Sequence, residues 1–321
     1  MATAEQVMSL IRSHNSDDRE HFYTVALQIA SYEARRGHQA VAEDIRKLFK
    51  EAEAKRDRNT LSTIPGEFQD VLVIRPAEAR LNQLILAERT EQRIKRILRE
   101  YVQQETLKQH GLVNRRKVLL AGPPGTGKTM TASVVAKELH LPLVSVQLDL
   151  ILSRYMGESS AKLHQVFEFI AGHRALYLFD EFDTLAGERS GSDIGEMRRV
   201  LNTLLLRIEQ DHSESLLFAA TNKPEMLDSA IFRRFDDCIE YSLPGSKGVA
   251  ELIPNALATF LTDDISIESL AAAYGHISCS DVVSACHDAV KEALLSDKDR
   301  VDQGMLEQAF AERAAAATFH G

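Results

Sequence analysis

The fold of this chain is decided by one eight-residue stretch, Gly122-Pro123-Pro124-Gly125-Thr126-Gly127-Lys128-Thr129. An apolar run from Val118 to Ala121 precedes it, and a segment with helical periodicity follows from Lys128 to Leu139. Glycines at a strand-to-helix turn let backbone N–H groups face inward without an intervening side chain, and the helix N-terminus adds partial positive charge. The pattern therefore predicts a phosphate-binding loop.

Two side chains in this loop carry the chemistry expected of a nucleotide site. Lys128 is expected to neutralise the β- and γ-phosphates of ATP, and the Thr129 hydroxyl to ligate Mg2+. The loop from Gly122 to Thr129, together with Met130 in the first helical turn, is predicted to contact the nucleotide.

A second apolar run, Leu176 to Phe179, ends in the acids Asp180 and Glu181. Unpaired carboxylates at a buried strand end are costly, which indicates that a cation or water is held there. Asp180 is expected to join the Mg2+ shell, and Glu181 to polarise the water that attacks ATP. A solvated turn is the alternative for such a pair, and the phosphate-binding loop upstream favours the catalytic role.

Patterns along the chain predict its organisation. Helical patterns alternate with short apolar runs over residues 81–243, which predicts an α/β core, a parallel sheet with helices on both faces. Residues 244–321 contain no strand-like run and are predicted to form a small all-helical lid. Residues 59–80 are interpreted as a linker. Residues 1–58 are predicted to be helical, either as a region that recruits a partner or substrate or as a solvated appendage.

Composition excludes several classes of protein. A formal net charge of -9 argues against a nucleic-acid partner, because phosphate contacts need clustered Lys and Arg. No apolar run approaches the roughly 18 residues of a membrane-spanning helix, and the N-terminus does not resemble a signal peptide. The three cysteines form no Cys-x-x-Cys pair, as expected for reduced thiols in a cytoplasmic protein.

Beyond these motifs the chain resembles the AAA ATPase family over about residues 81–295. Residues 217–222 resemble the sensor-1 strand of that family, which implies that Asn222 also positions the attacking water. Residues 227–236 resemble its second homology region, and there Arg233 and Arg234 match the arginine fingers that reach into the ATP site of a neighbouring subunit. The resemblance implies a ring of identical subunits, with a hexamer expected.

The stretch Ser153 to Ser160 resembles the first pore loop of AAA rings that remodel proteins. In such a loop an exposed Tyr155 and a flexible Met156 would pack against an extended polypeptide, while Gly157 would let the loop bend. The resemblance implies a polypeptide substrate. The alternative is that Tyr155 packs on the sheet.

Several details limit or redirect the resemblance. The segment that carries the two arginines is shortened, as in the katanin, spastin and endosomal-sorting relatives. Residues 209–212 replace the Asp-Gly-Phe that signals between subunits in several relatives. Residues 278–281 read Ser-Cys-Ser-Asp where Ser-Gly-Ala-Asp is usual. The layout is also similar to bacterial AAA ATPases encoded beside subtilisin-like proteases. This similarity implies an alternative function, an ATP-gated antitoxin or defence component that restrains or feeds such a protease.

Overall fold

The computed structural model describes residues 61–318 except 62, 80–82, 155–157, 186–192 and 263, together with scattered positions among the first 60. The chain divides into two compact units, Met1–Thr60 and Leu61–Gly321. In the first unit every described position except His38 is helical, and Ile29, Ala30 and Ala42 are buried. Most of the predicted N-terminal helical region lies outside the described residues.

Six strands of the second unit form one sheet in the order β1-β3-β4-β5-β2-β6. The five strands from β2 to β6 run parallel, whereas β1 pairs antiparallel with β3 at one edge. Parallel neighbours need crossover connections, which the intervening helices supply. The predicted α/β class is therefore confirmed. The bounds of the strands are β1 Leu72–Arg75, β2 Lys117–Ala121, β3 Leu143–Val146, β4 Leu176–Phe179, β5 Leu216–Thr221 and β6 Asp237–Glu240.

Helices surround the sheet and then form a separate bundle. Those that belong to the sheet are α1 Glu88–Val102, α2 Gln104–Gln109, α3 Lys128–Glu138, α4 Leu148–Arg154, α5 Ser159–Gly172, α6 Asp193–Gln210 and α7 Ser229–Phe232. Those that form the C-terminal lid are α8 Gly245–Leu257, α9 Ile267–Tyr274, α10 Cys279–Leu295 and α11 Gln303–Thr318. Within the described residues, every helix is too short or too polar to span a lipid bilayer.

Alternate residues of the central strands enter two different cores. On β5, Leu217 and Ala219 pack in a cluster with α5 and α6, whereas Leu216 and Phe218 pack on the opposite face with α1 and α3. Because both faces are covered, these strands are apolar at almost every position. The arrangement brings the carboxyl ends of β2, β4 and β5 to one edge of the sheet, where ligands of open α/β sheets bind.

The stretch interpreted as a linker, residues 59–80, contains ordered structure. It holds a 3-10 turn, Gly66–Phe68, and the edge strand β1. Phe68 is buried, and its ring centroid lies 5.0 Å from that of Phe169 on α5. This edge strand is exposed at Ile74 and Arg75, so it lacks the continuous buried apolar run that revealed β4, which is why the sequence did not reveal it.

Candidate functional site

The phosphate-binding loop, Gly122 to Thr129, forms the turn between β2 and α3. Its glycines have φ angles of 149° at Gly122, 71° at Gly125 and 96° at Gly127, all in a region that L side chains avoid. A Cβ atom on Gly122 would also overlap the carbonyl oxygen of Tyr241, the residue after β6. The shape of the loop therefore requires glycine for both conformation and space.

The Lys128 side chain curls back over this loop. Its Nζ donates to the carbonyl oxygens of Gly122, at 2.8 Å, and Pro123, at 2.7 Å. Burial lowers the pKa of the Lys128 ammonium, and the nearby carboxylates of Asp180 and Asp183 partly offset that effect. The ammonium is thus desolvated and held by weak acceptors, so phosphate oxygens at the same place would be stronger partners.

The acids after β4 lie beside the loop. Thr129 Oγ1 donates to Asp180 Oδ2 at 2.9 Å, and the Glu181 backbone N–H donates to Asp180 Oδ1 at 3.0 Å. Glu181 is exposed and has a φ of 50°, a conformation that costs a non-glycine residue of order 1 kcal/mol. Such strain is often found at functional sites. Here it turns the Glu181 backbone at the mouth of the site.

Asp183 is a site residue that the sequence reasoning missed. Its Oδ1 accepts from the Thr221 hydroxyl and from the Asn222 backbone N–H, each at 3.1 Å. The Lys223 N–H in turn donates to Thr221 Oγ1 at 3.1 Å. Asp183 therefore ties the end of β4 to the end of β5. It sets where Asn222 stands relative to Glu181.

If the site hydrolyses ATP, as the sequence predicts, replacing Asp183 by Ala is expected to lower kcat about tenfold, because the hydrogen bonds that its carboxylate accepts from the Thr221 hydroxyl and the Asn222 N–H are lost. The KM for ATP should change less than the kcat, since the loop that holds the phosphates is untouched. Asp183→Asn is the matched control, because its amide oxygen still accepts both bonds. An Asn variant as slow as the Ala variant would show that the negative charge, and not the positioning, is what matters.

The lid contacts the phosphate-binding loop directly. The Ser280 backbone N–H, in the first turn of α10, donates to the Gly125 carbonyl oxygen at 3.0 Å. The Ser278 hydroxyl lies 2.9 Å from the Ser280 hydroxyl and 2.6 Å from Asp281 Oδ2. A Cβ atom on Gly125 would overlap both serine hydroxyls. The unusual Ser-Cys-Ser-Asp segment therefore forms one wall of the site.

These elements enclose a cavity of about 970 Å3. Its polar end holds Lys128, Thr129, Asp180, Glu181 and Asn222. Its other walls come from residues before α1 and from the lid. They combine the apolar residues Leu84, Ile85, Leu252, Ala256 and Val283 with the polar residues Gln83, Asn255, Ser280, Ser284 and His287. The volume suits a ligand of nucleotide size, with charged groups at one end and a flat apolar group at the other. No lid residue was assigned to this site from the sequence, because the lid is distant along the chain from the phosphate-binding loop.

The structure separates the two arginines from this cavity. Arg233 and Arg234 follow α7 and are exposed, and neither lines this cavity. Phe235, two residues after Arg233, is buried with its ring edge-to-face against Phe182, 6.1 Å between centroids.

The pore-loop residues Tyr155, Met156 and Gly157 lie outside the described residues. Their assignment stays a prediction. Over the part of the chain that the structure describes, no cluster of three or more His, Cys, Asp and Glu side chains is placed to hold a metal ion.

Comparison with known proteins gives a consistent result. Residues 118–243 match the family described as "ATPase family associated with various cellular activities (AAA)". The chain is 31% identical to the uncharacterized AAA family ATPase y4kL of Sinorhizobium fredii, over 98% of this chain and 96% of that protein. It is 36% identical to Protein CdcH of Halobacterium salinarum over 59% of this chain, and 34% identical to the proteasome-activating nucleotidase of Methanothermobacter thermautotrophicus over 61%. These matches cover only 26% and 50% of the latter two proteins.

Proposed function

This chain belongs to the AAA family of ATPases, and on that basis we propose that it works as a ring that uses ATP hydrolysis to move a polypeptide substrate through a central pore. It is an enzyme that converts ATP and water to ADP and phosphate. The ring, its hexameric size, the pore and the polypeptide substrate are our proposals.

The cavity supports a defined pose for the nucleotide. The triphosphate would lie along the phosphate-binding loop, with Lys128 exchanging its two carbonyl partners for phosphate oxygens. The base would lie between the residues before α1 and the lid, against Leu84, Ile85 and Val283. Because lid and loop are hydrogen-bonded at Ser280 and Gly125, a change at the phosphates would reach the lid through one contact.

The oxygen atoms of Thr129 and Asp180, 2.9 Å apart, fit the hard-oxygen ligands that Mg2+ prefers. Bound there, Mg2+ would supply charge neutralisation to the β- and γ-phosphates. Glu181 is the group of this chain that we assign to accept the proton of the attacking water, and Asn222 the group that orients that water. The hydrogen bonds of Asp183 connect the segment after β4, which carries Glu181, to the end of β5, where Asn222 lies.

One observation carries the ring proposal: Arg233 and Arg234 are exposed and line no part of their own cavity. A cation that stabilises the transferring phosphoryl group must lie close to it. If this segment supplies that cation, it does so to a neighbouring copy. Head-to-tail contacts of this kind generate closed rings when the rotation closes.

The polypeptide substrate is proposed from Tyr155, Met156 and Gly157, whose residue types suit sequence-tolerant contacts with an extended chain. The name of one relative, the proteasome-activating nucleotidase, links an ATPase of this family to proteolysis. Free thiols at Cys238, Cys279 and Cys286 suit the reducing cytoplasm, where we place the protein.

The test of the ring is the specific rate of phosphate release as a function of protein concentration, with sizing in ATP. The rate per subunit should rise as a ring appears, because each site is completed by a neighbour. A constant rate from a monomer that already hydrolyses ATP rapidly would contradict the ring.

The test of the pore uses an unfolded polypeptide, reduced and carboxymethylated α-lactalbumin, as the probe. In Tyr155→Ala the stimulation of ATP turnover by this probe should be lost. Tyr155→Phe, which keeps the aromatic side chain, should retain most of the stimulation. Equal stimulation of the Ala variant and the wild type would count against a pore contact at Tyr155.

The alternative function is an ATP-gated regulator that restrains or feeds a separately encoded subtilisin-like protease, as an antitoxin or defence component. This alternative differs from the proposed function in that restraint of the protease requires ATP binding but not ATP hydrolysis. A Glu181→Gln ring that binds ATP without turnover should still restrain such a protease, whereas it could not move a substrate. Failure of an assembled Glu181→Gln ring to restrain the protease would remove this alternative.

A further inference from the structure

The two arginines after α7 have different surroundings. Arg233 is exposed and, in the part of the chain that the structure describes, its guanidinium forms no ion pair. The guanidinium of Arg234 forms an ion pair with the carboxylate of Glu209, in the last turn of α6. Adjacent residues of one type thus differ in whether the side chain is already engaged within its own subunit.

The backbone that carries these arginines is held from the inside. We call residues 232–236 the finger segment. Phe232 is partly buried against the sheet core, and Phe235 packs edge-to-face on Phe182, the residue after Glu181. The Arg234 N–H donates to the Ile231 carbonyl at 3.0 Å, and the Asp236 N–H donates to the Lys117 carbonyl at 2.8 Å. These contacts fix the backbone, so the two arginines differ only in the surroundings of their side chains.

Glu209, the ion-pair partner of Arg234, and the finger segment are both hydrogen-bonded to the residues at the start of β2. The Glu209 carbonyl oxygen accepts from Lys117 Nζ at 2.8 Å, and Asp236 Oδ2 accepts from the N–H groups of Arg116 and Lys117, each at 2.9 Å. Two residues beyond Glu209, the Asp211 carboxylate forms a buried ion pair with Arg116. The start of β2 therefore joins the end of α6 to the finger segment. Glu209 and Asp211, within the segment 209–212, are part of this junction.

We propose that the two arginines have divided roles: Arg233 is the residue that reaches the neighbouring subunit's ATP, and Arg234 is a positioning residue that acts through Glu209. This rests on the proposed ring. Pairing with Glu209 fixes one side of the finger segment to α6 and leaves Arg233 as its free cation.

The two possible roles of Arg234, positioning through Glu209 or direct contact with the nucleotide, predict different effects of replacing Glu209. If Arg234 acts through Glu209, then Glu209→Gln must lower activity as Arg234→Gln does, and the double variant must be no worse than either single one. If Arg234 instead contacts the nucleotide, Glu209→Gln frees it and should leave turnover unchanged or raise it. The pair is about half exposed, with side-chain exposures of 40% and 48%, so the expected effect is modest, about fivefold in turnover.

The experiment measures kcat and KM for ATP in Glu209→Gln, Arg234→Gln, their double variant, Arg234→Glu, and the charge exchange that combines Glu209→Arg with Arg234→Glu. Sizing in ATP and thermal unfolding show that each variant folds and assembles. We expect kcat to fall about fivefold in both single variants and no further in the double variant, with KM for ATP little changed. The charge exchange should recover kcat to within about threefold of wild type.

Two outcomes would overturn the division of roles. One is an unaffected Glu209→Gln beside a strongly impaired Arg234→Gln. The other is a charge exchange as inactive as Arg234→Glu alone. Failure of the ring proposal is a separate result: it would appear as full activity in Arg233→Ala, whatever the Glu209 variants do.

Discussion

Replacing Glu181 by Gln is expected to lower the steady-state rate of phosphate release by about 10² to 10⁴, the usual contribution of a positioned general base. Glutamine has the same shape but cannot accept the proton of the attacking water. ATP affinity should be retained, because the side chains of Lys128 and Thr129, which are expected to hold the phosphates and Mg2+, bond to Gly122, Pro123 and Asp180 and not to the Glu181 side chain. Phosphate release at saturating ATP and equilibrium binding of ATP measure the two quantities separately.

Glu268→Gln provides the matched control, since this carboxylate is exposed on α9 and does not line the cavity. It should hydrolyse ATP at the wild-type rate. A Glu181→Gln variant that loses binding and turnover together would assign Glu181 to holding the nucleotide. A variant with unchanged turnover would require another base, and no other carboxylate among the described cavity residues is available except Asp180.

Arg233→Ala is expected to reduce turnover by at least about 10³, in line with arginines supplied in trans to other nucleotidases. The physical reason is the loss of a positive charge where negative charge develops on the transferring phosphoryl group. ATP binding and the folding of the subunit should be little affected, because Arg233 is exposed and its neighbours Phe232 and Phe235 hold the backbone. Arg96→Ala, at an exposed arginine on α1, is the control.

Mixing two inactive variants tests whether Arg233 acts across subunits. In a ring of Arg233→Ala and Glu181→Gln subunits, each interface that joins an intact Glu181 to an intact Arg233 is complete. Random mixing in equal amounts makes about a quarter of the interfaces complete, so turnover should recover toward that fraction of wild type. Mixed rings without any recovery would place Arg233 in its own subunit's chemistry.

The sequence alone determined the fold class and the polar end of the site. The predicted run Leu176 to Phe179 coincides with β4, and the helix expected from Lys128 to Leu139 ends one residue earlier, at Glu138. These elements were readable because central strands buried on both faces are continuously apolar, and because a phosphate-binding turn needs glycine at fixed positions. The acids at the end of β4 followed from the same logic.

Only the tertiary structure shows which residues close the site and which polar contacts connect the elements around it. The Asp183 carboxylate meets Thr221 across 38 positions of sequence, and Glu209 meets Arg234 across 25. The Ser280 N–H on the lid meets Gly125 in the phosphate-binding loop. Such contacts join single polar groups from distant elements, so they leave no periodicity and no composition bias in the chain. A sequence records which faces are buried, but the partner of each polar group depends on where the folded elements bring it.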